Sequence, residues 1–161
     1  MPVPAPPLPA AFLERPIAHR ALHGPGRPEN SRAAIRAAVA AGYGIEIDVQ
    51  PSADGVAMVF HDADLDRLTG TAGPIRGRTA ADLARLPLHG GDEGIPTLAE
   101  VLALVAGRVP LLVEIKDQDG ALGPGGGALE AATAAACAGY AGPLAVMSFN
   151  PHSVAAMAAL A

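Results

Sequence analysis

The chain has 161 residues, is half hydrophobic and carries a formal charge of −5 at neutral pH. That length suits one domain with a real core, and the Ala-, Gly- and Pro-rich composition without Trp excludes a disordered chain. The acidic balance, with no Lys/Arg cluster, offers no footprint for nucleic acid, although a phosphate ester can bind where local cations or a metal outweigh the mean charge.

Residues 1–15, "MPVPAPPLPAAFLER", are interrupted by prolines and lack a basic leader. They read as a partly extended arm and not as a signal peptide, ahead of a single domain over residues 16–161. No run approaches the roughly 18 apolar residues of a membrane helix, so a cytoplasmic protein is expected. "PIAHR" (16–20) is a short strand ending in His19 and Arg20, and "HGPGRPEN" (23–30) is a loop whose Gly and Pro residues forbid regular structure. Asn30 or Ser31 caps the helix "SRAAIRAAVAA" (31–41), which stops at Gly42.

"GIEIDVQ" (44–50) is the second strand, "SADG" (52–55) a turn, and "VAMVFHD" (56–62) a third strand that ends in polar groups. "LDRLTGTAGPIRGRT" (65–79) reads as a long polar loop before a short helix at "AADLARL" (80–86). "IPTLAEVLALVAG" (95–107) is a helix with Thr97 as N-cap and Glu100 at the capping-box position. "VPLLVEIK" (109–116) gives strand four and "DQDGALGPGGG" (117–127) a flexible loop. The loop's "GPGGG" lacks the Lys and Ser/Thr of a phosphate-binding P-loop. The Ala-rich helix over about 128–138 holds the chain's single cysteine, Cys137. One cysteine excludes an intrachain disulfide and a thiolate-rich zinc site, and here it reads as a buried, inert thiol. "PLAVMSF" (143–149) is strand five, followed by the helix "PHSVAAMAALA" (151–161). Strands alternating with helices predict a parallel α/β arrangement.

One pattern runs through these strands. His19 and Arg20, Glu46 and Asp48, His61, Glu114 and Lys116, and Ser148 all stand towards the C-terminal ends of otherwise apolar strands. In a parallel sheet or β/α barrel those ends share one face, where active sites are built. Glu46 and Asp48 are two residues apart and leave one face of their strand, and Glu114 and Lys116 repeat the geometry. Three carboxylates gathered there need a hard cation, and an all-oxygen set favours Mg²⁺ or Ca²⁺ over zinc. Two imidazoles, His19 and His61, can divide general acid and base roles. Arg20 and Lys116 suit the non-bridging oxygens of a phosphate, with salt bridges to the acids compatible with that role. The set is suited to metal-assisted phosphodiester cleavage. His23, His89 and His152 read as solvated loop or helix-start residues.

"IAHR", "PENS", "GIEIDVQPSADGVAMVFHDADLDRLTG", "IPTLAEVLALV", "LLVEIK" and "VMSF", in that order, resemble the glycerophosphodiester phosphodiesterases. The resemblance implies a TIM-barrel fold and hydrolysis of small-molecule glycerophosphodiesters to sn-glycerol 3-phosphate and an alcohol. It implies a divalent cation, Mg²⁺ or Ca²⁺, held by Glu46, Asp48 and Glu114, with His19 and His61 as the acid/base pair and Arg20 and Lys116 near the phosphate. Glu29 of the "PEN" element is expected to order a loop beside the site. Two departures from the family pattern stand out. Ala21 follows His-Arg where the family usually has Gly, which strains the backbone if φ is positive there. Five strands are counted where a barrel takes eight, so the barrel is expected to be truncated to about five of eight β/α units, with self-association through exposed sheet edges. A silent fragment that binds cation or phosphate without turnover, or that needs a second chain, is the alternative reading. A lyase forming cyclic phosphates is a third.

Overall fold

In the computed structural model, which describes residues 7–160, strands and helices alternate along most of the chain. Residues 1–6 of the expected arm and the final residue of the last helix lie outside the described residues. The rest of the arm includes a 3₁₀ turn, Ala10–Phe12, that buries Phe12. Strand β1 is Ile17–Ala18, helix α1 Arg32–Ala41, β2 Gly44–Pro51 and β3 Ala57–Val59. Two one-turn helices follow, α2 (Asp66–Thr69) and α3 (Ala80–Leu83), and then α4 (Leu98–Val105), β4 (Leu111–Ile115), α5 (Ala128–Cys137), β5 (Leu144–Met147) and α6 (Pro151–Leu160).

The strands form one sheet in the order β1-β2-β4-β5, all parallel, with β3 attached to β2. Parallel strands joined by helical crossovers make this part of a β/α barrel, an α/β fold of the TIM-barrel type. Strand three departs from the expectation. Val49 pairs with Val59 and Pro51 with Ala57, so β3 runs antiparallel to β2. The cause is the short "SADG" turn, where Ser52 Oγ accepts from Val56 N at 2.9 Å and Gly55 takes φ +79°. A link that short permits a hairpin but not a parallel crossover.

Register explains how apolar strands carry acids. Residues 45, 47 and 49 of β2 and 111, 113 and 115 of β4 are fully or almost fully buried. They pack with Ile35 and Ala38 of α1, Leu98 and Val101 of α4, and Leu129 of α5. Since successive side chains alternate across a strand, residues 46 and 48 of β2 and 114 of β4 point the other way, towards the barrel interior. The direct Asp48–Glu114 pairing sets those two side by side.

Helix ends follow their caps. Ser31 caps α1 by accepting from Ala34 N at 3.1 Å, and Gly42 ends it at φ +73°. Thr97 and Glu100 close a capping box at α4, with Thr97 N on Glu100 Oε2 at 2.8 Å and Glu100 N on Thr97 Oγ1 at 3.2 Å. The stretch read as a long polar loop is more ordered than expected. Leu65, Leu68 and Ile75 join Met58, Phe60, Leu83, Leu88 and Ile95 in a second apolar cluster, which supports α2, α3 and a 3₁₀ turn at Ile75–Gly77. This excursion leaves and rejoins the fold at one place, because Val59 N donates to Pro96 O at 2.8 Å.

Candidate active site

Glu46, Asp48 and Glu114 are all buried, and each offers a carboxylate oxygen within 4.8 Å of the other two. Ligand oxygens on one Mg²⁺ or Ca²⁺ lie at most about 5 Å apart, so the spacing fits a single hard cation. The acids are not equally engaged. Glu46 Oε2 accepts from the backbone N of Arg20 at 2.8 Å, while its Oε1 is buried with no donor among the described residues. Asp48 Oδ2 accepts from Asn30 Nδ2 at 2.9 Å, and Asn30 Oδ1 accepts from Asp48 N at 3.3 Å. Lys116 Nζ lies 2.6 Å from Glu114 Oε1 and 2.8 Å from Asp48 Oδ1. The second contact is an ion pair lacking hydrogen-bond alignment, since Asp48 Oδ1 has no properly directed donor among the described residues.

Electrostatics follow from that crowding. Burial raises the pKa of Glu46, the charges of Asp48 and Glu114 raise it further, and the Arg20 amide offsets only part. For Lys116, burial works against the charged form, but the close carboxylates of Asp48 and Glu114 outweigh it and the pKa is raised. An orphaned buried carboxylate oxygen beside two further acids is the donor set that a hard divalent cation satisfies, and the residues present fit one.

The loop after β1 is bent to serve this cluster. Arg20 has φ +55° and Ala21 φ +64°, and the turn is held by Ala21 N donating to Glu46 O at 3.0 Å. Left-handed backbone costs an L-residue about 1–2 kcal/mol, so Ala21 carries the strain expected of a non-glycine residue at that φ. The bend delivers the Arg20 amide to Glu46 and brings the guanidinium Nη1 to Glu29 Oε1 at 3.0 Å, with Nε 3.8 Å from Asp48 Oδ2. His19 stands beyond it, 72 % exposed, with Nε2 4.0 Å from Glu46 Oε2.

His61 arrives by a different route. The β2–β3 hairpin overshoots the rim and folds back, so His61 follows the returning strand, tied by Gln50 Nε2 donating to His61 O at 3.1 Å. Its Nδ1 lies 2.6 Å from Asp62 Oδ1. Hydrogen bonds from Arg67 hold the Asp62 carboxyl down at about 2 against the opposing effect of burial, with His61 contributing less. An open cleft of about 780 Å³ is lined by His61, Asp62, Arg67, Glu114 and Lys116, with Phe149 at its edge. Phe149 is 74 % exposed.

The structure therefore gathers all seven candidates around the acids and the cleft, with His19 the most exposed of them although it lies beside Glu46. Arg20 and Lys116 both contact acids, as the salt-bridge reading anticipated. His23, His89 and His152 are exposed. Ser148 serves the backbone, donating to Ile115 O at 2.7 Å. Cys137 is only partly buried, and burial raises its pKa. Asn30, Asp62, Arg67 and Phe149 were not singled out by sequence. Asn30 read as a helix cap, and its φ of +57° instead turns the side chain to Asp48. The i, i+5 spacing of Asp62 and Arg67 was the available signal for that pair, hidden by reading the segment as loop.

A sequence model described as the glycerophosphoryl diester phosphodiesterase family matches residues 19–161. A glycerophosphodiester phosphodiesterase of Caldanaerobacter subterraneus is 38% identical over 111 residues, covering 65% of this chain and 45% of that protein. Human glycerophosphodiester phosphodiesterase 1 is 38% identical over 96 residues, 54% of this chain and 29% of its own. The chain thus spans less than half the length of these curated relatives. Among solved structures, an Oleispira antarctica phosphodiesterase in complex with the product sn-glycerol-3-phosphate superposes with a TM-score of 0.80 at 30% identity, covering 93% of this chain and 64% of that one. A glycerophosphodiester phosphodiesterase from Agrobacterium tumefaciens gives 0.75 at 28%, covering 91% and 63%.

Proposed function

The chain belongs to the glycerophosphoryl diester phosphodiesterase family, and from that premise we propose that it is a metal-dependent hydrolase converting glycerophosphodiesters to sn-glycerol 3-phosphate and an alcohol, within glycerophospholipid metabolism. The observation that supports this most is the convergence of three buried carboxylates within 4.8 Å, with one oxygen of Glu46 lacking a donor among the described residues. The product named with the Oleispira structure is of the same chemical class.

Glu46, Asp48 and Glu114 would hold the divalent cation, Mg²⁺ or Ca²⁺. Bound there, the ion supplies Lewis acidity to a non-bridging phosphate oxygen. Arg20 and Lys116 set positive charge beside the same oxygens and favour the added negative charge of a pentavalent phosphorus. His19 and His61 divide the proton transfers, one taking the proton of the attacking hydroxyl and the other giving a proton to the departing alcohol oxygen. Net hydrolysis breaks one P–O ester bond, places the hydroxyl of water on phosphorus and leaves its hydrogen on the alcohol.

We assign the activity to residues 16–161 as one domain, supported by the family match beginning at residue 19, and place it in the cytoplasm. Among the described residues no helix is long and apolar enough to cross a membrane. Association of copies through the edges of β1 and β5, each paired on one side only among the described residues, belongs to the same proposal.

The test is release of sn-glycerol 3-phosphate from glycerophosphocholine by purified protein with Mg²⁺ or Ca²⁺, followed by ³¹P NMR. Release that EDTA abolishes and His61→Ala removes is expected. A folded protein that releases nothing overturns the proposal in favour of a silent fragment, and a cyclic phosphate as final product converts it to a lyase.

A further inference from the structure

Arg67, which no part of the proposed chemistry uses, makes more charged hydrogen bonds than any other side chain around the cleft. Its Nε donates to Asp62 Oδ2 at 2.7 Å and its Nη2 to Asp62 Oδ1 at 2.9 Å. Its Nη2 also donates to Glu29 Oε1 at 2.8 Å, and Nη1 to Glu29 Oε2 at 3.1 Å. One guanidinium thus engages both oxygens of two carboxylates that lie on separate segments, Glu29 before α1 and Asp62 after β3. A planar fork of five donors can do this, and an ammonium cannot. Glu29 also takes Arg20 Nη1 at 3.0 Å, so the clamp joins the loop of one candidate phosphate-binding residue to the segment that carries His61.

We propose that Arg67 is a positioning residue: by fixing the Asp62 carboxylate it holds the His61 imidazole in one orientation and one tautomer, with the proton on Nδ1 and Nε2 offered to the cleft. This rests on His61 being an acid/base group of the proposed reaction. An ionised carboxylate only accepts, so the 2.6 Å contact between Asp62 Oδ1 and His61 Nδ1 requires Nδ1 to be the donor. Neutral imidazole then has its lone pair on Nε2, for which no protein hydrogen bond exists among the described residues. Arg67 keeps Asp62 ionised and prevents it from rotating, since both carboxylate oxygens are occupied. The other charged groups facing His61 across the cleft are Lys116, Glu114, Asp64, Asp66 and Asp117. Gln50 contacts its backbone oxygen and leaves the ring free.

The test pairs ¹⁵N-edited NMR of the His61 ring with steady-state kinetics on wild type, Arg67→Gln and Arg67→Lys. The expected result is a pure Nδ1–H tautomer in wild type and a tautomer mixture in both variants. Outer partners of metal-ligating histidines are worth about 10- to 100-fold in activity, and a partner that orients an acid/base histidine is expected to weigh similarly. That loss is expected in kcat with KM little changed, partly restored by added guanidinium ion and not by urea. A folded variant that keeps the pure Nδ1–H signature overturns the proposal even if its kcat falls, because the loss would then be structural. An undiminished kcat overturns it as well. Should Arg67→Gln fail to fold, Glu29→Gln, which frees the other half of the clamp, is read by the same two measurements. If wild type hydrolyses no diester, the functional reading falls, while the tautomer comparison still decides the role of Arg67.

Discussion

Glu46 is the residue on which repulsion concentrates: buried, next to two like charges, with one oxygen donated to and the other without a donor among the described residues. Replacing it by Gln removes a charge that a cation needs and that the unliganded fold does not. Glu46→Gln is therefore expected to lower Mg²⁺ or Ca²⁺ affinity by tenfold or more, equivalent to about 1.4 kcal/mol, while raising the melting temperature without metal. Calorimetric titration and a thermal melt read the two effects. Unchanged cation affinity refutes the ligand assignment. At this scale the sequence was informative about residues that alternate on strands, because spacing alone fixes which face they share. It was uninformative about Asn30 and Arg67. Asn30's role depends on a left-handed backbone, and Arg67's on joining Asp62 to Glu29, 38 residues away, and neither leaves a periodic trace.

At the scale of elements, β2 performs two tasks in alternate positions. Ile45, Ile47 and Val49 are wholly buried towards the helices, and Glu46 and Asp48 serve the site. Large-to-small truncation in such a core costs about 2–5 kcal/mol, so Ile47→Ala is expected to lose stability in that range, measured by the urea midpoint. A loss below 1 kcal/mol would mean that the helix layer packs more loosely than the burial implies. Helix boundaries were readable because caps are local chemistry, as with Ser31, Gly42 and the Thr97–Glu100 box. The direction of β3 was not read correctly. A strand's apolar pattern is the same whichever way it runs, and only the length of the preceding connection distinguishes a hairpin from a crossover. The short helix expected at residues 80–86 is present as α3, whereas α2 lies in the stretch expected to be loop, since a single turn gives no period to detect.

For the molecule as a whole, the carboxylates with lowered pKa set the response to acid. Asp62, at about 2 when folded against 3.8 for the free group, contributes stability that is complete above the unfolded value and lost as pH falls through the folded one. Glu29 and Glu100 are also lowered, where Arg67 and Arg20 for the first, and Thr97 and Arg32 for the second, outweigh burial, and they act in the same direction. Glu46, raised, acts oppositely: its contribution is present at low pH and lost as pH rises through its folded value. Wild type is thus expected to weaken progressively from about pH 4 towards pH 2, and Asp62→Asn to show a flatter profile across that window. Denaturant midpoints at several pH values measure it, and parallel profiles would show that the Asp62 network adds nothing to folding. The parallel α/β arrangement was legible from strand and helix alternation together with polar strand ends, and the barrel type from the family resemblance. How the excursion between β3 and α4 builds a wall of the cleft was not, for that wall is made by contacts between residues far apart in sequence.

That excursion has a consequence for how such a protein can change. It enters and exits through adjacent backbone atoms of Val59 and Pro96 and encloses an apolar kernel of its own. It behaves as a cartridge seated on the rim: its outer turns can be lengthened, shortened or rewritten while the ladder between β2 and β4 keeps its pairing. Selection acting on what the cleft admits can therefore operate on the turns beyond Arg67, apart from the strand pair that sets Asp48 beside Glu114.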